Sequence, residues 1–126
     1  MKILLVEDDL YIRDLYKMIL EKDNNTVLSA ANGEEGLLLS AQTPDLIFLD
    51  VMLPQINGMD LLKKLKQNPA TKNIPVIMLS NLGQDEIIKE ALLLGAKKYL
   101  IKVNMNPSDI LRLARQFAQS QTTTVS

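Results

Sequence analysis

The chain reads as a five-stranded, doubly wound α/β sandwich, and three observations predict it. Five short apolar runs recur along its 126 residues. Helical periodicity fills the gaps between them, the alternation that parallel strands joined by crossover helices require. Polar residues then stand at the carboxyl ends of the first, third, fourth and fifth runs, where open sheets of this kind place their ligands. The length suits one domain with a real core and is too short for two.

The runs are KILLV (2–6), TVLSA (26–30), DLIFL (45–49), PVIML (75–79) and KKYLI (97–101). The first, third and fourth are nearly continuous in apolar residues, as strands covered on both faces are. The second and fifth are more polar and are expected at the sheet edges. Between the runs, Ile12, Leu15, Tyr16 and Ile19 share one helical face, as do Gly58, Leu61, Leu62 and Leu65, and again Ile110, Leu113, Ala114 and Phe117.

Asn57 is placed to cap the third helix, Asn106 and Pro107 to cap and open the fifth, and Gly95 to close the fourth. The LLL triplets at 37–39 and 92–94 cannot face the sheet throughout, because three consecutive helix positions span about 200°. At least one leucine in each is expected at the surface, and the second triplet is a candidate partner or dimer contact. The polar QSQTTTVS at 119–126 sets the expected boundary: a folded unit over 1–119 and a flexible polar tail over 120–126.

Composition narrows the chemistry. Apolar residues make up 47% and aromatics 4%, so the core is aliphatic. Fourteen Lys plus Arg against fifteen Asp plus Glu give a net charge of −1, with no global attraction for nucleic acid or anionic lipid. The absence of Cys and His removes thiol and imidazole nucleophiles and the usual zinc sites. Carboxylates, hydroxyls and amines remain. The opening MKILLVEDD is too short in apolar residues for a signal peptide, and no segment approaches spanning length, so the expected compartment is the cytoplasm.

Those remaining groups meet at the strand ends: Glu7, Asp8 and Asp9 after the first run, Asp50 after the third, Ser80 after the fourth and Lys102 after the fifth. Read singly, Asp50 is a polar strand end, Asp8 or Asp9 a helix cap, Ser80 an N-cap or turn residue, and Lys102 a solvated amine. Read together, several carboxylates in one crevice repel one another unless a cation intervenes. An all-oxygen set suits Mg²⁺, with Mn²⁺ as the substitute. Lys102 and Ser80 could then hold the oxygens of a phosphoryl group carried by Asp50.

These motifs, LLVEDD, DLIFLDVMLPQINGMDLL, IPVIMLSN and GAKKYLIK, resemble those of the response regulator receiver domains of two-component signalling, the CheY-like family. The resemblance covers roughly residues 1–119. It implies a flavodoxin-like (βα)5 fold with strand order 2-1-3-4-5, an order for which CheY is itself a standard example. It also implies that Asp50 is the phosphoacceptor and that Glu7 and Asp8 form the acidic pair, Glu7 acting through bound water. The backbone carbonyl of Met52 would join Asp8 and Asp50 around Mg²⁺. Ser80 would be the switch hydroxyl, Tyr99 the aromatic that moves with it, and Lys102 the phosphate-contacting amine. Asp9 falls one place past the pair, as a cap or minor contributor.

The implied donor is a sensor histidine kinase or phosphotransfer protein. The implied output is a changed face on the fourth helix, fifth strand and fifth helix, read by a protein target or an appended effector, as a monomer or a phosphorylation-dependent dimer. Such a domain catalyses only its own phosphoryl transfer and hydrolysis and is otherwise no enzyme. Two positions depart from the family pattern. Val103 stands where proline commonly follows the lysine, which predicts a trans 102–103 bond, since a cis bond without proline costs about 2.5–4 kcal/mol. Asn81 stands where a small residue is usual, and could hydrogen-bond the phosphate or restrict access to it.

Other functions compete. An aspartate-nucleophile phosphohydrolase needs a second acid two residues after the nucleophile, and Met52 occupies that place. A flavin protein needs phosphate donors in the first turn, where Glu7 to Asp9 would repel the ligand. A pseudo-receiver, an interaction module not controlled by phosphorylation, is the alternative that keeps the fold. No helix-turn-helix segment or basic stripe points to direct nucleic-acid contact.

Overall fold

The computed structural model describes the backbone of residues 1–123 and side chains up to residue 118. Five parallel strands, β1 (Lys2–Val6), β2 (Thr26–Ala30), β3 (Leu46–Asp50), β4 (Val76–Ser80) and β5 (Lys98–Ile101), form one sheet in the order β2-β1-β3-β4-β5. The helices that join them are α1 (Leu10–Glu21), α2 (Gly33–Ser40), α3 (Gly58–Gln67) and α4 (Asp85–Leu93), with α5 (Asp109–Thr123) at the end. The expected sandwich and strand order are both present, with β2 and β5 at the edges.

Period-two alternation in the central strands divides the core between the sheet's two faces. Leu4 and Val6, Ile47 and Leu49, and Val76 and Met78 pack with Leu61, Leu62 and Leu65 of α3 and Ala91 of α4. Ile3 and Leu5, Leu46 and Phe48, and Ile77 and Leu79 pack with Tyr16 and Leu20 of α1 and Ile110, Leu113 and Ala114 of α5. A continuous apolar run is therefore what a strand needs when both of its faces are covered. At the helix surface Leu38 of the first triplet and both Leu92 and Leu93 of the second are exposed, so each triplet places at least one leucine in solvent, as the helical geometry requires.

Three strands begin one residue later than the apolar runs predict. Asp45 lies outside β3, its carboxylate accepting from Lys2 N at 2.8 Å. Pro75 lends only its carbonyl to the ladder, accepting from Ile47 N at 3.0 Å, because proline has no N–H to donate. At the other end the ladder reaches the polar residues: Asp50 pairs with Leu79, and Ser80 with Ile101. Asp50 and Ser80 are thus the last residues of their strands, held by sheet pairing.

The helix ends follow the expected chemistry with one exchange of roles. Asn57 caps α3, its side chain accepting from Asp60 N, and Asp9 caps α1 by accepting from Ile12 N. Gly95, at φ +112°, closes α4: its N–H reaches Leu92 O at 3.1 Å, and Ala96 N–H reaches Ala91 O at 3.0 Å. Before α5, Pro107 and Ser108 form a turn, and the Asp109 carboxylate accepts from Asn106 N at 2.9 Å, so the reciprocal half of a capping box stands where Asn106 was expected to cap. α5 runs to Thr123, into the segment 120–126 expected as a tail, and 124–126 lie outside the described residues. No helix among the described residues is long and apolar enough to cross a membrane.

Candidate functional site

The chain passes outward from β1 to β2 and returns to β3 on the other side of β1, so a crevice opens between the carboxyl ends of β1 and β3. A cleft of about 310 Å³ lies there, and Glu7, Asp8, Asp50, Ser80, Asn81 and Lys102 are among its lining residues. The topology thus gathers the strand-end polar residues that the sequence scatters.

Asp50 is 5% exposed at the end of the central strand. Its Oδ1 accepts from Met52 N at 3.1 Å, which fixes the plane of the carboxylate. Its Oδ2 receives the Lys102 ammonium at 2.6 Å. The turn after Asp50 is held from below as well: Gly58 N donates to Val51 O at 2.8 Å. A Cβ at Gly58 would lie 2.0 Å from Asp50 O, so only glycine lets α3 approach the strand this closely.

Glu7, 2% exposed, follows β1 and receives the same ammonium on Oε1 at 2.5 Å. Its Oε2 accepts from Asp9 N, and its backbone carbonyl accepts from the Arg13 guanidinium at 2.8 Å. Burial pushes the Glu7 carboxyl up to about 7, with the Asp50 charge adding to the rise and the Lys102 contact opposing it. Burial pulls the Lys102 amine down, but hydrogen bonds to Asp50 and Glu7 outweigh it and hold the pKa above its ordinary value. Lys102 therefore stays charged at neutral pH and is no solvated loop amine.

Asp8 is exposed, and carboxylate oxygens of Glu7, Asp8 and Asp50 lie within 4.8 Å of one another. Three carboxyl groups converge on one ammonium, an excess of acid that a divalent cation would offset. The donor set holds only hard oxygens. These residues fit Mg²⁺, which binds through few carboxylates and keeps several waters.

Ser80 is not a helix cap, since α4 begins at Asp85 behind Gln84. It is a turn residue: Oγ accepts from Leu82 N at 3.0 Å. The half-buried Tyr99 donates its hydroxyl to Leu82 O at 2.7 Å. Both polar groups of one backbone residue are thus bound by side chains of β4 and β5, a relation no residue pattern announces, because leucine carries no polar side chain to mark it. Lys102 begins a 3-10 turn over Lys102–Asn104, and the 102–103 bond is trans as expected.

A buried carboxylate at the switch point, with acids and an amine converging on it, places the chain among doubly wound α/β proteins that gather polar groups at their strand ends. The family model for the response regulator receiver domain matches residues 3–115. The chain belongs to that family, whose general role is that of a phosphorylation switch in two-component systems. Receiver domains are signalling proteins, not classical enzymes.

Among relatives, the transcriptional regulatory protein CpxR of Klebsiella pneumoniae is 45% identical over 101 residues, covering 80% of this chain and 42% of CpxR. The transcriptional regulatory protein AfsQ1 of Streptomyces coelicolor is 40% identical, with 79% of this chain and 44% of AfsQ1 covered. The chain therefore spans less than half the length of these two regulators. An uncharacterised 14.6 kDa protein of Leptolyngbya boryana is 34% identical over 93% of this chain and 89% of its own length. Among solved structures, the BeF3-activated N-terminal receiver domain of RstA from Klebsiella pneumoniae aligns at TM-score 0.83 and 30% identity, covering 93% of this chain and 97% of that one.

Proposed function

We infer that the protein is a cytoplasmic signalling switch that takes a phosphoryl group onto the Asp50 carboxylate. The observation that carries this reading is the Lys102 ammonium bridging Asp50 Oδ2 and Glu7 Oε1 inside a cleft that Ser80 also lines. The donor is a histidine kinase or phosphotransfer protein. A bond forms between an Asp50 oxygen and phosphorus as the phosphorus–nitrogen bond to the donor imidazole breaks, and the ring nitrogen leaves with the electron pair and takes up a proton. Hydrolysis follows by water attacking phosphorus, with return of the carboxylate and release of inorganic phosphate.

Each residue has a positional task. Met52 N–H holds the carboxylate in one plane, and Lys102 offers its ammonium to a phosphoryl oxygen. Asp8, Asp50, the Met52 carbonyl and Glu7 through water are the groups that would hold Mg²⁺. When bound, Mg²⁺ neutralises charge developing on the transferring oxygens.

The switch reading is supported by the shared bonds at Leu82. If Ser80 Oγ turns to a phosphoryl oxygen, Leu82 N–H loses its acceptor, and the loop that Tyr99 also holds is freed to rearrange. α4 is suited to follow, because Ala91 is its one buried residue and Gln84 makes no side-chain cap bond. The exposed Leu93 lies on that helix, on the face expected to read out the change to a protein target or a second copy.

Incubation with Mg²⁺ and a small acyl phosphate tests the reading. One phosphoryl group is expected by intact mass, absent on Asp50→Asn and absent after chelation. Wild type that takes no phosphoryl group under any donor leaves the fold as an interaction module and overturns the proposal.

A further inference from the structure

Asn81 and Val103, the two departures from the family pattern, meet in the structure. Val103 N–H donates to Asn81 Oδ1 at 3.0 Å. Asn81 follows Ser80 directly and Val103 follows Lys102 directly, so this bond ties the loop of the hydroxyl to the loop of the amine. A proline at 103 would have no N–H to give, and a glycine or alanine at 81 would have no side-chain acceptor. The bond exists because both positions carry the residues they do. It also fixes the orientation of the amide, since only Oδ1 can accept from the N–H.

Asn81 lines the cleft, and both it and Val103 are exposed, Val103 by 76%. The core does not need this bond, and its place is the mouth of the site. We propose that Asn81 is a positioning residue whose bond to Val103 ties the Ser80 and Lys102 loops together at the edge of the cleft and restricts the approach of water to the phosphorylated Asp50. The proposal rests on the reading of Asp50 as phosphoacceptor. Hydrolysis needs water in line with the bond being broken. A side chain anchored across the two loops narrows that approach, and a free one does not.

The experiment is a double-mutant cycle read by the half-life of the Asp50 phosphate, with the 126-residue chain loaded from an acyl phosphate and Mg²⁺ and then freed of donor. Asn81→Ala and Val103→Pro should each shorten the half-life roughly two- to tenfold, the range of one exposed hydrogen bond. The double variant should fall no further than either single one, because both remove the same bond. Asn81→Asp keeps the acceptor and the shape and should return the half-life toward the wild-type value. Thermal melts identify any variant that fails to fold, and Asn81→Ala with Asn81→Asp suffices if Val103→Pro is lost. Unchanged half-lives, multiplying effects in the double variant, or Asn81→Asp behaving as Asn81→Ala would each overturn the role of Asn81 while leaving Asp50 as acceptor. A wild type that takes up no phosphoryl group overturns both.

Discussion

Lys102 Nζ lies 2.6 Å from Asp50 Oδ2 while its other carboxylate partner, Glu7, lies on the far side of the crevice opened by the strand reversal. One ammonium at the end of an edge strand thus compensates buried acids on two central strand ends. The oxygens it holds are those proposed for a divalent cation, so Lys102 is expected both to stabilise the folded site and to compete with the metal.

Lys102→Met should separate those two effects. Removing one partner of a buried ion pair usually costs about 3–5 kcal/mol, and here roughly 1–3 kcal/mol is expected, because Glu7 can take up a proton instead. Mg²⁺ should bind more tightly to the variant and recover much of the loss, whereas phosphoryl uptake should fall roughly 10- to 100-fold for want of a charge-assisted hydrogen bond. Urea titrations with and without Mg²⁺, together with uptake rates, check this. Weaker Mg²⁺ binding in the variant would show that Lys102 does not compete with the metal.

Glu7 carries a pH dependence of defined sign. Its pKa is 4.5 unperturbed and about 7 in the fold, chiefly through burial. Between those values the folded state holds the proton more often than the unfolded chain, so the contribution to stability is full below 4.5 and is lost as pH rises through about 7. Metal-free wild type should therefore show a falling urea midpoint from about pH 5 to pH 7.5, and Glu7→Gln, with nothing to titrate, a flatter one. Parallel profiles for the two proteins would rule Glu7 out as the source.

Tyr99→Phe isolates the second hold on Leu82. The ring stays packed against the α4 side of the core, and only the 2.7 Å bond to Leu82 O is lost. A stability loss of about 0.5–1.5 kcal/mol is expected, with phosphoryl uptake close to wild type, since the hydroxyl touches neither Asp50 nor Lys102. Amide exchange at residues 81–85 should quicken. Unaltered exchange there would mean that Tyr99 does not restrain the loop.

The apolar runs made the fold legible, because a strand buried on two faces cannot be written in polar residues, and the period of three to four between runs leaves few other architectures. Strand ends were less legible. Apolar character stops before Asp50 and Ser80, but the ladder runs on through them, so pairing is set by backbone groups that composition does not show. The strand-end acids, Ser80 and Lys102 could be found because the topology rule says where to look, and the structure brings them into one cleft. The Asn81–Val103 bond and the double hold on Leu82 could not, as each depends on a backbone group of a residue whose side chain is silent. Gly58 was legible only as one position on an apolar helical face, when its importance is the backbone it lies against.

Gly58→Ala tests that last point. A Cβ there would stand 2.0 Å from Asp50 O and 2.7 Å from Val51 Cα, both backbone atoms of the strand end and neither able to swing aside. The start of α3 must retreat, weakening the 2.8 Å bond from Gly58 N to Val51 O and shifting the turn that aims Met52 N–H at Asp50. A loss near the upper end of overpacking costs, about 3 kcal/mol, is expected. Phosphoryl uptake per folded molecule should fall with it, because the carboxylate loses its fixed plane. Gly83→Ala is the matched control: its Cβ would meet only Ile101 Cδ1 at 3.7 Å, an ordinary contact, and stability should change by less than about 1 kcal/mol. If the two alanine variants share one urea midpoint, close approach at Gly58 does not hold the strand end in place.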